Sequence, residues 1–304
     1  MGAMRIGCVG MTTLDTLLFV PEQEMLDDDV VSVEEAVHCP GGKGMVTAVA
    51  IVEAGGEVVP FSLLGKEGGL QELLPSNLDR RYQLKLLDRD SRTWITVSQA
   101  QKVITFVARQ ELPEEREEAA SAALPGLLEE VDALYLTVED PIILKVALTL
   151  ARSRRVPIAL NASIPLLELL LPRSRELLVD LVAGSDLIFC NHREGPRFLE
   201  ALGIEEWSSL PASGQRELVV TEGEAGGKFS EGTLERWCRF EPVPPSDVRC
   251  VVGAGDTFNG AYMVARWGEG ASAAESCRRG AELAARKVAI RASMLPSGQP
   301  TSAS

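Results

Sequence analysis

The sequence predicts an α/β fold: a central, mainly parallel sheet flanked by helices, with a small β-sheet beside it. Three observations predict it. Short apolar runs recur along the chain, longer stretches of helical character lie between them, and two segments break that rhythm with residues alternating at period two. Strands alternating with helices imply crossover connections and a sheet covered on both faces. A chain of 304 residues is long enough for one such domain, and residues 1–304 are expected to form it.

The strand-like runs are Arg5–Val9, 58–64, 133–137, 157–160, 186–190 and Glu217–Thr221. Residues 44–54 are rich in Ala and Val and stop at Gly55-Gly56, as a helix does. Residues 141–152 and 166–182 carry Leu at spacings of three and four, and 268–291 are Ala-rich with charges on one side. The two breaks in rhythm are 17–39, with its acidic run Asp27-Asp28-Asp29, and 93–108. Their alternation indicates antiparallel, half-exposed strands. From the pattern alone they form either one small sheet or two separate hairpins. Residues 114–118 read as a solvated helix face, and the Ser/Pro-rich tail 296–304 as frayed.

Composition narrows the function. The net charge of −14 argues against nucleic acid or an anionic membrane as partner, since both require a basic footprint. An anionic ligand would need local donors. The six cysteines, at positions 8, 39, 190, 238, 250 and 277, show no metal or redox spacing, and read as free thiols of a reducing compartment. His38 and His192 are too few for a histidine metal site. With no signal-peptide pattern and no membrane-length apolar run, the expected location is cytoplasmic.

The strongest local signal is Val251-Val252-Gly253-Ala254-Gly255-Asp256-Thr257-Phe258-Asn259-Gly260-Ala261. Small residues let the backbone approach a ligand, and a helix beginning there would point free N–H groups at an anion. Asp256 could accept a proton from a hydroxyl. Phosphoryl transfer needs both features, donors for the migrating group and a base at the nucleophile. Taken alone, the segment fits better a Gly-rich turn with Asp256 as an ordinary N-cap.

The wider chain adds four motifs. They are Gly10-Met11-Thr12-Thr13-Leu14-Asp15, then Gly41-Gly42-Lys43-Gly44 with Ala48, Gly55 and Gly65, then Asn191-His192-Arg193-Glu194, and last Thr221-Glu222-Gly223-Glu224-Ala225-Gly226. In type and order the five resemble the ribokinase-like (PfkB-type) carbohydrate kinases. The resemblance implies a ribokinase-like fold whose small sheet, from about 17–39 and 93–108, acts as a lid. It implies an ATP-dependent kinase acting on a hydroxyl of a sugar or related molecule. Asp256 would be the base, and the N–H groups of Gly253, Ala254 and Gly255 the anion hole. Asp15, Gly42, Lys43 and, on a weaker match, Glu139 would face the acceptor. Asn191, Thr221, Gly223 and Gly226 would hold the nucleotide, and Glu194 with Asn191 would hold Mg²⁺, largely through water. Relatives pair through the lid, which implies a homodimer.

Departures from the pattern bear on the acceptor. Val46 stands where the family carries an Asn, and Thr13 replaces an Asn of ribokinases proper. Val can neither donate nor accept a hydrogen bond, so the acceptor should differ from ribose bound in the ribokinase manner. Cys250 replaces an Asp that in many relatives helps form a monovalent-cation site, so activation by K⁺ should be weak or absent. Gly65-Lys66 replaces a Gly-Asp pair. A nucleoside acceptor, or a non-catalytic binder of the same fold, are the alternatives.

Overall fold

The computed structural model describes residues 4–21, 32–108, 112–210, 216–231 and 233–295. The acidic run 27–29 and the tail 296–304 lie outside them. Strand β1 (Arg5–Val9) is followed by β2 (Thr13–Phe19), β3 (Glu35–Gly41), helix α1 (Lys43–Glu53), β4 (Glu57–Glu67), α2 (Leu70–Leu73), β5 (Gln83–Arg89), β6 (Arg92–Ser98) and β7 (Gln101–Val107). Next come α3 (Arg116–Glu130), β8 (Ala133–Leu136), α4 (Pro141–Arg154), β9 (Ile158–Asn161), α5 (Ile164–Leu170), α6 (Arg175–Gly184), β10 (Leu187–Asn191), α7 (Glu194–Leu202) and β11 (Glu217–Thr221). The chain closes with β12 (Gly227–Glu231), β13 (Thr233–Phe240), α8 (Ala254–Met263) and α9 (Ala273–Val288).

Among the described residues, nine strands form the large sheet in the order β13-β12-β11-β10-β9-β8-β1-β4-β5. Every pairing from β11 to β5 is parallel, while β12 and β13 add antiparallel at one edge. Successive strand residues feed opposite cores, as the pleat requires. Leu134, Leu136, Leu160 and Ile188 pack with helices α3 to α7 on one face. Tyr135, Ala159, Phe189 and Val219 pack with α1, α8 and α9 on the other. This bears out the expected α/β architecture.

Strands β3-β2-β6-β7 make the small separate sheet. So the two rhythm-breaking segments join in one sheet. Its central pairing, β2 with β6, is parallel, whereas alternation suggested antiparallel strands; only β2–β3 and β6–β7 are antiparallel. β2 and β6 come from distant parts of the chain, so no hairpin turn fixes their relative direction.

One expected helix is two. The stretch 166–182 divides after Leu170, because Pro172 lacks the N–H needed to continue a helix, and the Ser174 side chain caps a new one by accepting from Leu177 N at 3.2 Å.

The topology prepares a site. From β1 the sheet grows towards β4 in one direction and towards β8 in the other, which leaves a crevice beyond the carboxyl ends of β1 and β8. Gly10 closes that crevice tightly. A Cβ on Gly10 would lie 2.3 Å from Thr137 Cγ2 and 3.0 Å from the Gly44 Cα, so α1 packs against the end of β1 only because both positions are glycine.

Candidate active site

Asp256 lies in the first turn of α8, buried, at the mouth of this crevice. Gly253, the residue before the helix, has φ 80°, and a Cβ there would stand 2.1 Å from the Ser293 carbonyl oxygen. Only glycine takes that conformation at that contact without strain. The Ala254 N–H donates to the Val251 carbonyl at 3.1 Å. Among the described residues, no acceptor takes the N–H of Gly253, Gly255 or Asp256. A Cβ built on Gly255 meets nothing within 4 Å, so the space above the helix start is open. The open donors are thus those of 253, 255 and 256 rather than of 253, 254 and 255.

The Asp256 carboxylate is held from two sides. Asn161 Nδ2, at the end of β9, donates to its Oδ1 at 2.9 Å, and Lys43 Nζ, at the start of α1, lies 3.4 Å from the same oxygen. Burial works against the Lys43 charge, but the nearby carboxylates of Asp256 and Glu194 outweigh it and hold its pKa above the ordinary lysine value. Lys43 reaches this place because Gly42 turns the chain at φ 85° directly over the Met11 carbonyl.

Beneath Asp256 lies a polar hub that sequence reasoning missed. Thr47 Oγ1 donates to the Asp256 carbonyl at 3.2 Å. The Tyr135 hydroxyl accepts from Asn161 Nδ2 and Asn259 Nδ2 at 3.0 and 3.3 Å and donates to Thr47 Oγ1 at 3.3 Å. Burial, reinforced by the Asp256 charge, pushes the Tyr135 pKa far up, so the hub stays neutral. These residues come from α1, β8, β9 and α8. Asn259 lies within the 251–261 segment, and Asn161 left a trace in the sequence as a polar residue directly after an apolar strand.

Asp15, on β2, accepts from Thr13 Oγ1 at 2.6 Å and from Ser293 Oγ at 2.7 Å. Its carboxylate occupies the volume that a side chain at Gly41 would need, with a Cβ there falling 1.9 Å from Oδ2. Burial raises its pKa, the two hydroxyl donors oppose that rise, and the charge of Asp256 adds to it. Asp15, Lys43 and Asp256 therefore belong to one electrostatic group.

Glu139 follows β8, tied to the crevice by the Met11 N–H, which donates to the Val138 carbonyl at 3.0 Å. Its Oε1 accepts from the Asp140 N–H at 3.0 Å, and its buried Oε2 has no partner among the described residues. Burial pushes its pKa up to about 7; the Asp140 N–H lowers it in part and the Asp140 charge raises it. The buried hydroxyls of Thr137 and Ser163 likewise lack partners.

Asn191 and Glu194 cap α7 reciprocally. Asn191 Oδ1 accepts from the N–H groups of Arg193 and Glu194, both at 2.9 Å, while Glu194 Oε2 accepts from the Asn191 N–H at 2.9 Å. Glu194 Oε1 accepts from the Ile164 N–H at 3.2 Å. Both groups therefore have structural work independent of any metal. Among the described residues no set of three His, Cys, Asp or Glu side chains converges as a metal site. Mg²⁺ fits here only with phosphates and waters as most of its ligands, which is its usual habit.

Thr221 pairs in register with Asn191 across β10 and β11, and its carbonyl accepts from the His192 N–H at 2.9 Å. The following loop closes through the Glu222 N–H to the Gly226 carbonyl at 2.7 Å, with Gly223 and Gly226 at φ 63° and 77°. A Cβ on Gly223 would meet nothing, whereas one on Gly226 would fall 2.3 Å from the Phe240 carbonyl oxygen. No described contact joins this loop or Glu139 to the Asp256 group. A cleft of about 540 Å³ lined by Trp207, Trp237 and Lys228 involves none of the sequence-predicted site residues.

Comparison with known proteins agrees with the α/β fold. Residues 4–297 match the pfkB family carbohydrate kinases. Ribokinase of Bacillus subtilis (strain 168) is 28% identical over 240 residues, which are 74% of this chain and 73% of that protein. The fold resembles a Burkholderia thailandensis nucleoside kinase solved with inosine, with TM-score 0.79, 18% identity and coverage of 95% and 92% of the two chains. It also resembles a Cryptococcus neoformans var. grubii serotype A ribokinase solved with ADP, with TM-score 0.76, 18% identity and coverage of 97% and 96%. The chain belongs to the pfkB family of carbohydrate kinases, and is a phosphotransferase whose acceptor is a hydroxyl.

Proposed function

We propose that the chain transfers the γ-phosphoryl group of ATP to a hydroxyl of a sugar or sugar-like molecule, with Asp256 as the general base. The observation that carries this reading is the pairing of the Asp256 carboxylate with open N–H groups at the start of α8. One helix turn thus offers a proton acceptor and an anion site side by side. A bound ATP–Mg²⁺ complex supplies the phosphoryl group and neutralises part of its charge.

The chain's own residues do the remaining work. Asn161 and Lys43 orient the Asp256 carboxylate towards the crevice. Asp256 takes the proton from the acceptor hydroxyl as it attacks. The N–H groups of Gly253, Gly255 and Asp256 stabilise charge on the migrating group, in the manner of a preorganised anion hole. Asp15, Gly42, Lys43 and Glu139 face the acceptor. Thr221, Gly223 and Gly226 hold the nucleotide, and Glu194 and Asn191 orient Mg²⁺ through water. The small sheet closes over the acceptor as a lid and keeps out water, which would otherwise take the phosphoryl group. Two copies pair through that sheet.

A second reading, a nucleoside acceptor, is favoured by one observation. Val46 is buried and faces the Gly253 turn, its Cγ1 3.2 Å from where a Gly253 Cβ would stand, and the Thr13 hydroxyl is spent on Asp15. The wall is therefore poorer in polar groups than a site for a free polyhydroxy sugar would be. The inosine-bound nucleoside kinase of similar fold supports the same direction. An ATP-consumption screen across sugars, sugar acids and nucleosides decides between them. Turnover on a sugar or sugar acid is expected under the first reading, turnover on nucleosides alone supports the second, and nucleotide binding without any turnover would overturn both.

A further inference from the structure

Behind the anion-binding turn lies a buried lysine with no place in the chemistry described so far. Lys287, in the last turn of α9, is fully buried. Its Nζ donates to the Cys250 carbonyl at 2.9 Å, and it makes no ion pair among the described residues. An ammonium in such a place is costly, and an apolar side chain of similar length would fill the volume without that cost.

The carbonyl it binds leads directly into Gly253. The N–H groups of Arg249 and Cys250 both donate to the Val288 carbonyl, at 2.7 and 3.1 Å, and the Val251 N–H donates to the Ala100 carbonyl at 3.0 Å. Gly253 itself rests on the Ser293 carbonyl. The approach to the turn is thus pinned from three directions, and Lys287 supplies the one charged anchor among them. The titratable groups that face it are Cys250, Cys39 on β3 and Asp256 on α8. Burial pulls its pKa down to about 8, opposed by those three groups.

We propose that Lys287 is a positioning residue for phosphoryl transfer: its ammonium, fixed to the Cys250 carbonyl, serves as a tethered monovalent cation that sets the 253–256 turn and adds positive potential behind the bound phosphate. The inference rests on the nucleotide site lying at that turn. An ammonium and a potassium ion carry the same charge and both bind carbonyl oxygen. A tethered cation removes the need for one from solvent, which gives the weak K⁺ response expected from Cys250 a physical basis.

The test uses the full chain and MgATP binding by isothermal titration calorimetry, which needs no acceptor. The wild type should bind equally in NaCl and KCl, and weaken about tenfold as pH rises from 7 to 9.5 through the Lys287 titration. Lys287→Met should lose a similar factor at pH 7 and show no further loss up to pH 9.5. Lys287→Ala should be weak in NaCl and recover in KCl or ethylammonium chloride, a recovery that a merely structural role would not produce. Strong K⁺ dependence in the wild type would overturn the proposal, as would variants that bind like wild type or fail to recover with any cation. The wild-type comparison stands even if both variants misfold. A wild type that binds no MgATP would instead sink the nucleotide-site reading itself.

Discussion

Glu139 carries the most informative single protonation state outside the Asp256 group. Its carboxyl titrates near 7 in the fold, against an ordinary value of 4.5, mainly because it is buried. A raised folded pKa means that the folded chain holds the proton more tightly than the unfolded one. The associated stability is fully present below pH 4.5 and is lost as pH rises through 7. Glu139→Gln should therefore melt higher than wild type at pH 8, with the difference shrinking towards pH 4.5, as thermal melts at both pH values will read. Its unpartnered Oε2 gives a reason for the burial, since an acceptor hydroxyl could supply the missing bond. The residues that surround Asp256 show what a sequence can and cannot display at this scale. Asp256, Gly253 and Lys43 are legible because each sits in a short motif of small residues. Tyr135 and Asn161 are not, because their meeting with Asp256 spans β8, β9 and α8 and depends on strand register. Lys287 is hidden for a different reason: its partner is a backbone carbonyl, 37 positions earlier, which leaves no side-chain signature.

At the scale of elements, the turn into α8 is the part least tolerant of change. Gly253 combines a left-handed φ of 80° with a carbonyl 2.1 Å from any added Cβ. Gly253→Ala should cost about 1–3 kcal/mol of stability through strain. It should also lower kcat, because the open N–H groups would turn away from their common focus. Denaturant unfolding and steady-state kinetics on the same preparation separate the two effects. The reciprocal cap of Asn191 and Glu194 shows a second feature of this scale. A motif read as a metal site is also the start of α7, so loss of activity on changing Glu194 does not by itself identify a ligand. Periodicity identified the parallel strands β1, β4 and β8 to β11 because their apolar runs are buried on both faces. It missed the break between α5 and α6, where Leu spacing continues through a Pro172 that cannot donate. It also missed β12, a short run with Phe229 as its one large apolar residue, and β13, whose residues are exposed or half-buried.

The whole molecule carries a net charge of −14 and yet must bind a polyanion. The donors are local: Lys43 and the open N–H groups at the start of α8 stand beside Asp256, and the Lys287 side chain binds the Cys250 carbonyl behind the turn. The small sheet stands apart from the main one, and its last strand leaves Phe106 and Val107 54% and 56% exposed, with Ile104 beside them. Apolar side chains in a row on an edge strand call for cover. If two copies cover each other there, sedimentation will show a dimer, and Phe106→Glu will shift it to monomer without unfolding the chain. That the small sheet is one unit follows from the parallel β2–β6 pairing, a long-range contact that alternation within each segment cannot reveal. The proposed role of Asp256 is to remove the acceptor proton at the crevice. Its most direct test is the kcat of Asp256→Asn on the acceptor found by the screen, with MgATP affinity measured in parallel. The kcat should fall about 10²–10⁴-fold with ATP affinity retained. A variant that turns over at the wild-type rate would contradict it.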